Sequence, residues 1–361
     1  MTPSHCTESD IESVEQSLKH LDLPFSEQFA RALVALLAGR KISLHHVAHL
    51  MPGEQDAEAN RQQLRRCLDH ESLTQEVWSG AISKLLPGGK WILALDRTEW
   101  RRGDTTINLL VLSVVTHGSA VPLLWTVLPS CGASDTAERI ELLSRFVTSF
   151  GKDRLQFLTA DREFIGRDWI GWLVEQELPF RIRIKANMYL RQGSGEEKYA
   201  WEWFEDEGCR CYPEPMQLGE LPVYVGGKPL STKDDKGRSQ YLIVISNQRS
   251  TDLPGDYRLR WKIETLFQAL KGRGFDLESC RLSQEKRVSM WFGFLSLGFC
   301  WCLKAGSYID ETRPMPLKKH GRRAVSVFQQ GLRLLQQLLV HLAGRPDSEQ
   351  LRRVLQELSP C

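Results

Sequence analysis

"KWILALD" (residues 90–96) is an apolar run that closes on an acid, and "LQFLTAD" (155–161) has the same form. Between them lie "TINLLVLSVVTHG" (106–118) and "AVPLLWTVLP" (120–129), two further strands bounded by Gly and Pro turns. "DTAERIELLSRFVTSF" (135–150) then has the apolar spacing of an amphipathic helix. "GRDWIGWLVEQE" (166–177) reads as a second helix and "FRIRIKA" (180–186) as another strand. The order is β-β-β-α-β-α-β. In that order the hairpin strands pair, and a right-handed crossover lays the fourth strand parallel beside the first. Asp96 and Asp161 are then expected side by side at the carboxyl ends of neighbouring strands, the usual crevice of an open α/β sheet.

A third acid comes from "DYRLRWKIETLFQALKGRGFDLE" (256–278). Read as one helix at about 100° per residue, it carries Tyr257, Arg260, Glu264 and Lys271 on a stripe about 60° wide. Leu259, Ile263, Leu266, Phe267 and Leu270 form an apolar side about 110° away. The polar stripe borders the buried face, where a site-forming helix would present its reagents. The plainer reading is a salt-bridged surface, since Arg260 and Glu264 are an ordinary i,i+4 pair worth a few tenths of a kcal/mol. Three gathered carboxylates repel one another unless cations bind between them. Oxygen-only ligands with room for water suit Mg²⁺ or Mn²⁺ rather than zinc. Two such ions about 3.5–4 Å apart clamp the entering and leaving oxygens of an in-line phosphoryl transfer.

The rest of the chain limits the alternatives. With 361 residues it can bury a large core and hold two or three domains. A net charge of only +2 means that a nucleic-acid surface has to come from local clustering. The nine cysteines are odd in number and dispersed, unlike a secreted disulfide framework. Cys209/Cys211 and Cys300/Cys302 are spaced more tightly than zinc ligand pairs. The N-terminus is polar and acidic, unlike a signal peptide. The most apolar stretch, 290–303, reads as too short to span a bilayer. A cytoplasmic protein without a membrane partner is expected.

Residues 1–87 read as helical, with Gly39 ending "FSEQFARALVALLAG" and Ser43 capping "LHHVAHLM". Arg61, Arg65 and Arg66 lie on the polar helix that follows, which suits either a helix-turn-helix-like DNA module or a solvated face. Residues 187–238 look like a small β-rich insertion, and "QYLIVISN" (240–247) is one more strand. The expected organisation is a helical DNA-binding domain (1–87), a catalytic α/β domain (88–283) and a C-terminal helical domain (284–361). The last contains the basic link "RPMPLKKHGRR" and is a candidate for dimerisation. In "FRIRIKA", alternation puts Arg181, Arg183 and Lys185 on one side. That side either tracks DNA or forms the charged outer face of an edge strand.

The residues together resemble a DDE transposase of bacterial insertion sequences, in the branch marked by Tyr-x2-Arg-x3-Glu-x6-Lys. Tyr257, Arg260, Glu264 and Lys271 match that signature at every gap. "LALDRTEW", "LTADREFIG" and "KKHGRRAVSVFQQGL" resemble the family's first-acid strand, second-acid segment and C-terminal region. The resemblance runs over about residues 25–340. It implies an RNase H-like mixed sheet with the β-rich insertion before the catalytic helix, flanked by N- and C-terminal helical regions. It implies Asp96, Asp161 and Glu264 as catalytic residues holding two Mg²⁺ or Mn²⁺ ions. It further implies double-stranded DNA as partner, a homodimer bridging two transposon ends, and cleavage through a hairpin intermediate before strand transfer. Tyr257, Arg260 and Lys271 would grip phosphates near the cut, with Arg183 and Lys185 as further DNA contacts. The family stacks a flipped base on an aromatic, for which Trp201 and Trp203 are candidates, packing within the insertion being the alternative. A nuclease of the same fold without strand transfer, or a transposase-derived DNA-binding regulator, are the competing readings.

Overall fold

The computed structural model describes residues 7–339 and 354, apart from 104, 130–131, 206–207, 234, 236, 238, 273, 313, 315 and 317–322. Most of the basic link at 313–323 and the segment after 339, but for Val354, therefore lie outside the described residues, as do Cys6, Cys131 and Cys361. Five helices come first: α1 (Glu8–His20), α2 (Ser26–Gly39), α3 (Leu44–Leu50), α4 (Ala57–Asp69) and α5 (Gln75–Ser83). Their starts follow side-chain capping where the chemistry allows. Thr7 and Asp10 form a capping box on α1, and Asp56 accepts from Ala59 N–H to start α4. α2 ends at Gly39 as expected, with Arg40 taking the left-handed position after it; one capping expectation needs correction, since Ser43 precedes α3 without a side-chain cap.

The strands follow as β1 (Trp91–Arg102), β2 (Thr105–Val115) and β3 (Ala120–Leu128), then α6 (Thr136–Phe150), β4 (Leu155–Ala160), α7 (Arg167–Glu175) and β5 (Phe180–Arg183). The insertion supplies β6 (Tyr189–Arg191), β7 (Glu197–Tyr199), β8 (Arg210–Cys211), β9 (Met216–Leu218) and β10 (Leu221–Lys233). After it come β11 (Ser239–Ser246), α8 (Leu253–Arg258), α9 (Trp261–Leu270), α10 (Glu285–Thr312) and α11 (Val327–Leu339). The described strands join into one mixed sheet, ordered β3-β2-β1-β4-β5-β11-β10-β9-β6-β7, with β8 on β10. β1 pairs antiparallel with β2 and parallel with β4, and β4 is parallel to β5. This is the RNase H-like mixed sheet with a β-rich insertion and flanking helices that the sequence suggests.

Three local expectations change. β1 does not stop at Asp96 but runs on to Arg102, paired with β2 throughout; only its parallel partner β4 ends, at Ala160. β5 is an interior strand between β4 and β11, so its basic residues are not on a sheet edge. The 290–303 stretch belongs to a 28-residue helix, α10, long and apolar enough to cross a membrane by length and composition. The apolar middle of that helix is almost wholly buried in the protein, while its ends reach solvent. Its apolar residues pack with the N-terminal helices, and the Trp125 indole of β3 donates to Ser289 Oγ at 2.9 Å.

α10 and α11 approach so closely that glycine is required at the crossing. A Cβ on Gly331 would collide with the Cys302 carbonyl oxygen, and one on Gly306 with that of Val327. These are backbone obstacles, which cannot rotate away. Gly331→Ala is expected to lower stability by about 1–3 kcal/mol. Gly171→Ala on α7, where an added Cβ meets open space, should raise it by about 0.5–1 kcal/mol. Thermal or urea unfolding of the two variants checks the contrast.

Candidate active site

The parallel register of β1 and β4 sets Leu95 opposite Ala160, so the next residues, Asp96 and Asp161, emerge beside each other. Each carboxylate is first held by its own turn of chain. Asp96 Oδ1 accepts from Arg97 N–H and Asp161 Oδ1 from Arg162 N–H, both at 2.8 Å. Glu264 comes from the exposed face of α9.

Arg260 ties the three acids together. Its Nη1 donates to Asp96 Oδ2 at 2.9 Å, its Nη2 to Glu264 Oε1, and its Nε to the Tyr257 hydroxyl at 3.0 Å. The Tyr257 hydroxyl donates in turn to Asp161 Oδ1 at 3.0 Å. Arg260 is 5% exposed and Tyr257 1%, whereas the Glu264 side chain is about half exposed. The expected stripe is thus present for three of its four members, although the helix is not continuous. α8 ends at Arg258, and i→i+3 bonds such as Arg260 N–H to Tyr257 C=O carry the chain into α9. α9 ends at Leu270, and the Lys271 ammonium turns to the Glu99 carbonyl of β1 at 2.8 Å.

Burial raises the Asp96 carboxyl to about 6, against the opposing pull of Arg260 and the Arg97 N–H. Asp161 is also penalised by burial, but the Arg162 N–H, Arg260, Tyr257 and Arg183 outweigh that and hold it below the usual range. Burial raises the Tyr257 phenol, which stays a proton donor to Asp161. For Arg260, burial disfavours the charge, but Tyr257 and the surrounding acids more than offset it.

The remaining sequence candidates divide. Arg183 Nη1 lies 3.8 Å from Asp161 Oδ1, and Lys185 is exposed. Arg181 is buried; it bonds Asp256 at 3.1 Å, and its guanidinium lies over the Phe157 ring. It is a bracing residue inside the sheet, not part of a basic track. Trp203 is corrected as a base-stacking candidate: it is buried in the insertion, edge-on to Tyr212. Trp201 is partly buried near the Tyr241 ring. The large aromatics most exposed among the described residues are Trp261, beside Arg260, and the Tyr189–Tyr199 pair. Sequence reasoning missed the brace between the two aspartate segments, where Arg97 Nη2 and Glu163 Oε2 meet at 3.1 Å. The signal was adjacency: each residue lies within two positions of an acid.

Asp96, Asp161 and Glu264 offer the oxygen-only donors that Mg²⁺ or Mn²⁺ prefers. They fan around Arg260 rather than a common point, and among the described residues no three His, Cys, Asp or Glu side chains form a metal cage as they stand. The donor chemistry is of the kind a divalent ion takes, and in this arrangement the guanidinium lies among the donors. A family model described as Transposase DDE domain matches residues 87–301, a span that holds all three acids and Arg260. No curated protein matches the chain.

The raised Asp96 carboxyl has a signed consequence. Between the ordinary value of 3.8 and about 6, the folded state holds more protons than the unfolded state. Asp96 therefore contributes stability at low pH that is lost as pH rises through about 6. Asp96→Asn removes this dependence. The stability of the variant relative to the parent should rise by up to about 2 kcal/mol from pH 4 to 6 and level off above. Paired thermal melts across that range measure it.

Proposed function

Because the chain belongs to the transposase DDE-domain family, we propose that it binds the terminal inverted repeats of an insertion sequence and cuts and joins DNA there. The observation that carries this reading is the convergence of Asp96 and Asp161, through the Leu95–Ala160 register, with Glu264 on one guanidinium. We assign Asp96, Asp161 and Glu264 as the residues that hold divalent metal, Mg²⁺ or Mn²⁺ as two ions. Bound there, metal supplies activation of water or a 3′-hydroxyl and neutralises charge at the cut phosphate.

The protein's own groups do the positioning. The N–H bonds to Asp96 and Asp161 fix where those carboxylates point. Arg183 lies beside Asp161, and Lys185, two residues past the end of β5, is exposed, which suits contacts to the DNA backbone. Arg260, Tyr257 and Lys271 complete the signature of the hairpin-forming branch, and on that basis the reading includes a hairpin intermediate. Residues 1–87, with Arg65 and Arg66 on α4, are assigned to recognition of the transposon end. Residues 284–361 are assigned to pairing of two copies on DNA, and the site of action to the cytoplasm.

Asp96→Asn and Glu264→Gln should abolish cleavage of end DNA while gel-shift affinity for the same fragment stays within about twofold. Duplex affinity comes mainly from Lys and Arg contacts to phosphate. Cleavage at the parent rate in either variant would remove that residue from the chemistry. Products joined to target DNA mark a transposase; cut ends alone mark a nuclease. Lys185→Ala should weaken binding across sequences and flatten the slope of log affinity against log salt by about one unit. An unaltered slope would place Lys185 outside the DNA contact.

A further inference from the structure

Arg260 stands apart among the site residues because its partners are the acids that the metal needs. The guanidinium has five N–H donors in a planar fork. It spends them on Asp96, on Glu264 and on the phenol that leads to Asp161. An arginine gripping DNA phosphate would instead leave its fork facing the groove. The nearby Arg97 is already paired with Glu163. Its other guanidinium nitrogen turns to Asn108 and the Gly132 carbonyl.

We propose that Arg260 is the resident cation of the three-carboxylate site and that a divalent ion enters only in exchange for it. The proposal rests on the assignment of these acids as metal ligands. Formal charge supports it. Three carboxylates set against Arg260 and Arg183 leave one negative charge. A divalent ion added with Arg260 in place overshoots to positive; added with Arg260 displaced, it leaves the site neutral. A second ion then needs the negative charge of DNA phosphate, so full metal loading is linked to bound substrate. Exchange begins at the outer arm. The Glu264 side chain is about half exposed, so that pair is the more easily screened, while the Asp96 side chain is only 18% exposed. The released guanidinium is then free to take a phosphate oxygen. In this way the site keeps its acids within one charge of balance without metal and exposes its arginine only when loaded.

Two measurements on the full chain without DNA test this. In Mn²⁺ titrations followed by electron paramagnetic resonance, Arg260→Gln should bind at least about tenfold more tightly than the parent, as expected on removing a unit charge within about 4 Å. Arg260→Lys keeps the charge but not the fork, and should fall between. It carries the test if the glutamine variant does not fold. In parallel, phenylglyoxal labelling read by peptide mass spectrometry should find Arg260 protected without metal and modified when Mg²⁺ saturates. Tighter binding without that exposure would reflect charge alone and would overturn the exchange. So would unchanged Mn²⁺ affinity in both Arg260 variants. Asp96→Asn and Glu264→Gln separate this failure from a deeper one. If they weaken Mn²⁺ binding while the Arg260 variants leave it unchanged, only the exchange is lost. If no variant alters Mn²⁺ binding, the carboxylate assignment falls and the exchange with it.

Discussion

Leu95 lies opposite Ala160 across a parallel pair of strands, and the site depends on that register. It forces two carboxylates to leave the sheet side by side where the β4 ladder ends while β1 continues. Like charges in a partly buried place need compensation. The structure provides it from a third element, the α8–α9 junction, through Arg260. Glu264 sits one turn further along the same guanidinium, so the arrangement that neutralises the aspartates also brings in the third acid.

The junction must itself be held in place, and the buried Arg181 does this. It ties β5 to Asp256 at the end of the sheet, and Ser250 donates to the same carboxylate oxygen at 2.8 Å. Tyr257 follows Asp256, so this anchor delivers the phenol to Asp161. On the other side Arg97 and Glu163 clip the residues after Asp96 to those after Asp161. Lys271 returns the end of α9 to the β1 backbone at Glu99. The site is thus a set of ties among β1, β4, β5, α8 and α9. The arginines in them do structural work that a count of surface charge would assign to DNA.

Much of this was legible in the sequence, for identifiable reasons. Apolar runs ending in Asp96 and Asp161, with a helix between, allow few topologies once crossovers are right-handed, so the pairing of the two acids could be inferred. Spacing likewise placed Tyr257, Arg260 and Glu264 on one stripe, and they stayed together despite the break after Arg258. The partners of long side chains were not legible. Alternation put Arg181, Arg183 and Lys185 on one side of β5, yet Arg181 is buried, Arg183 turns toward Asp161 and Lys185 reaches solvent. Alternation fixes a side, not a depth, and the depth of Arg181 follows from Asp256 of α8 and the Phe157 ring packed against it. Lys271 fell outside the helix because α9 is one residue too short to include it. Trp203 could not be told from a surface aromatic because the insertion packs it against Tyr212 as part of the main core, which also holds Phe204.

The central claim is that Asp96, Asp161 and Glu264 hold the divalent metal that cuts DNA. Anomalous diffraction at the manganese edge, from crystals of the chain with end DNA and Mn²⁺, tests it most directly. The account predicts anomalous density bounded by the Asp96 and Asp161 carboxylates, with Glu264 as a further ligand and Arg260 withdrawn from Asp96. Manganese bound elsewhere, with Arg260 still bridging Asp96 and Glu264 against cleavable DNA, would contradict it.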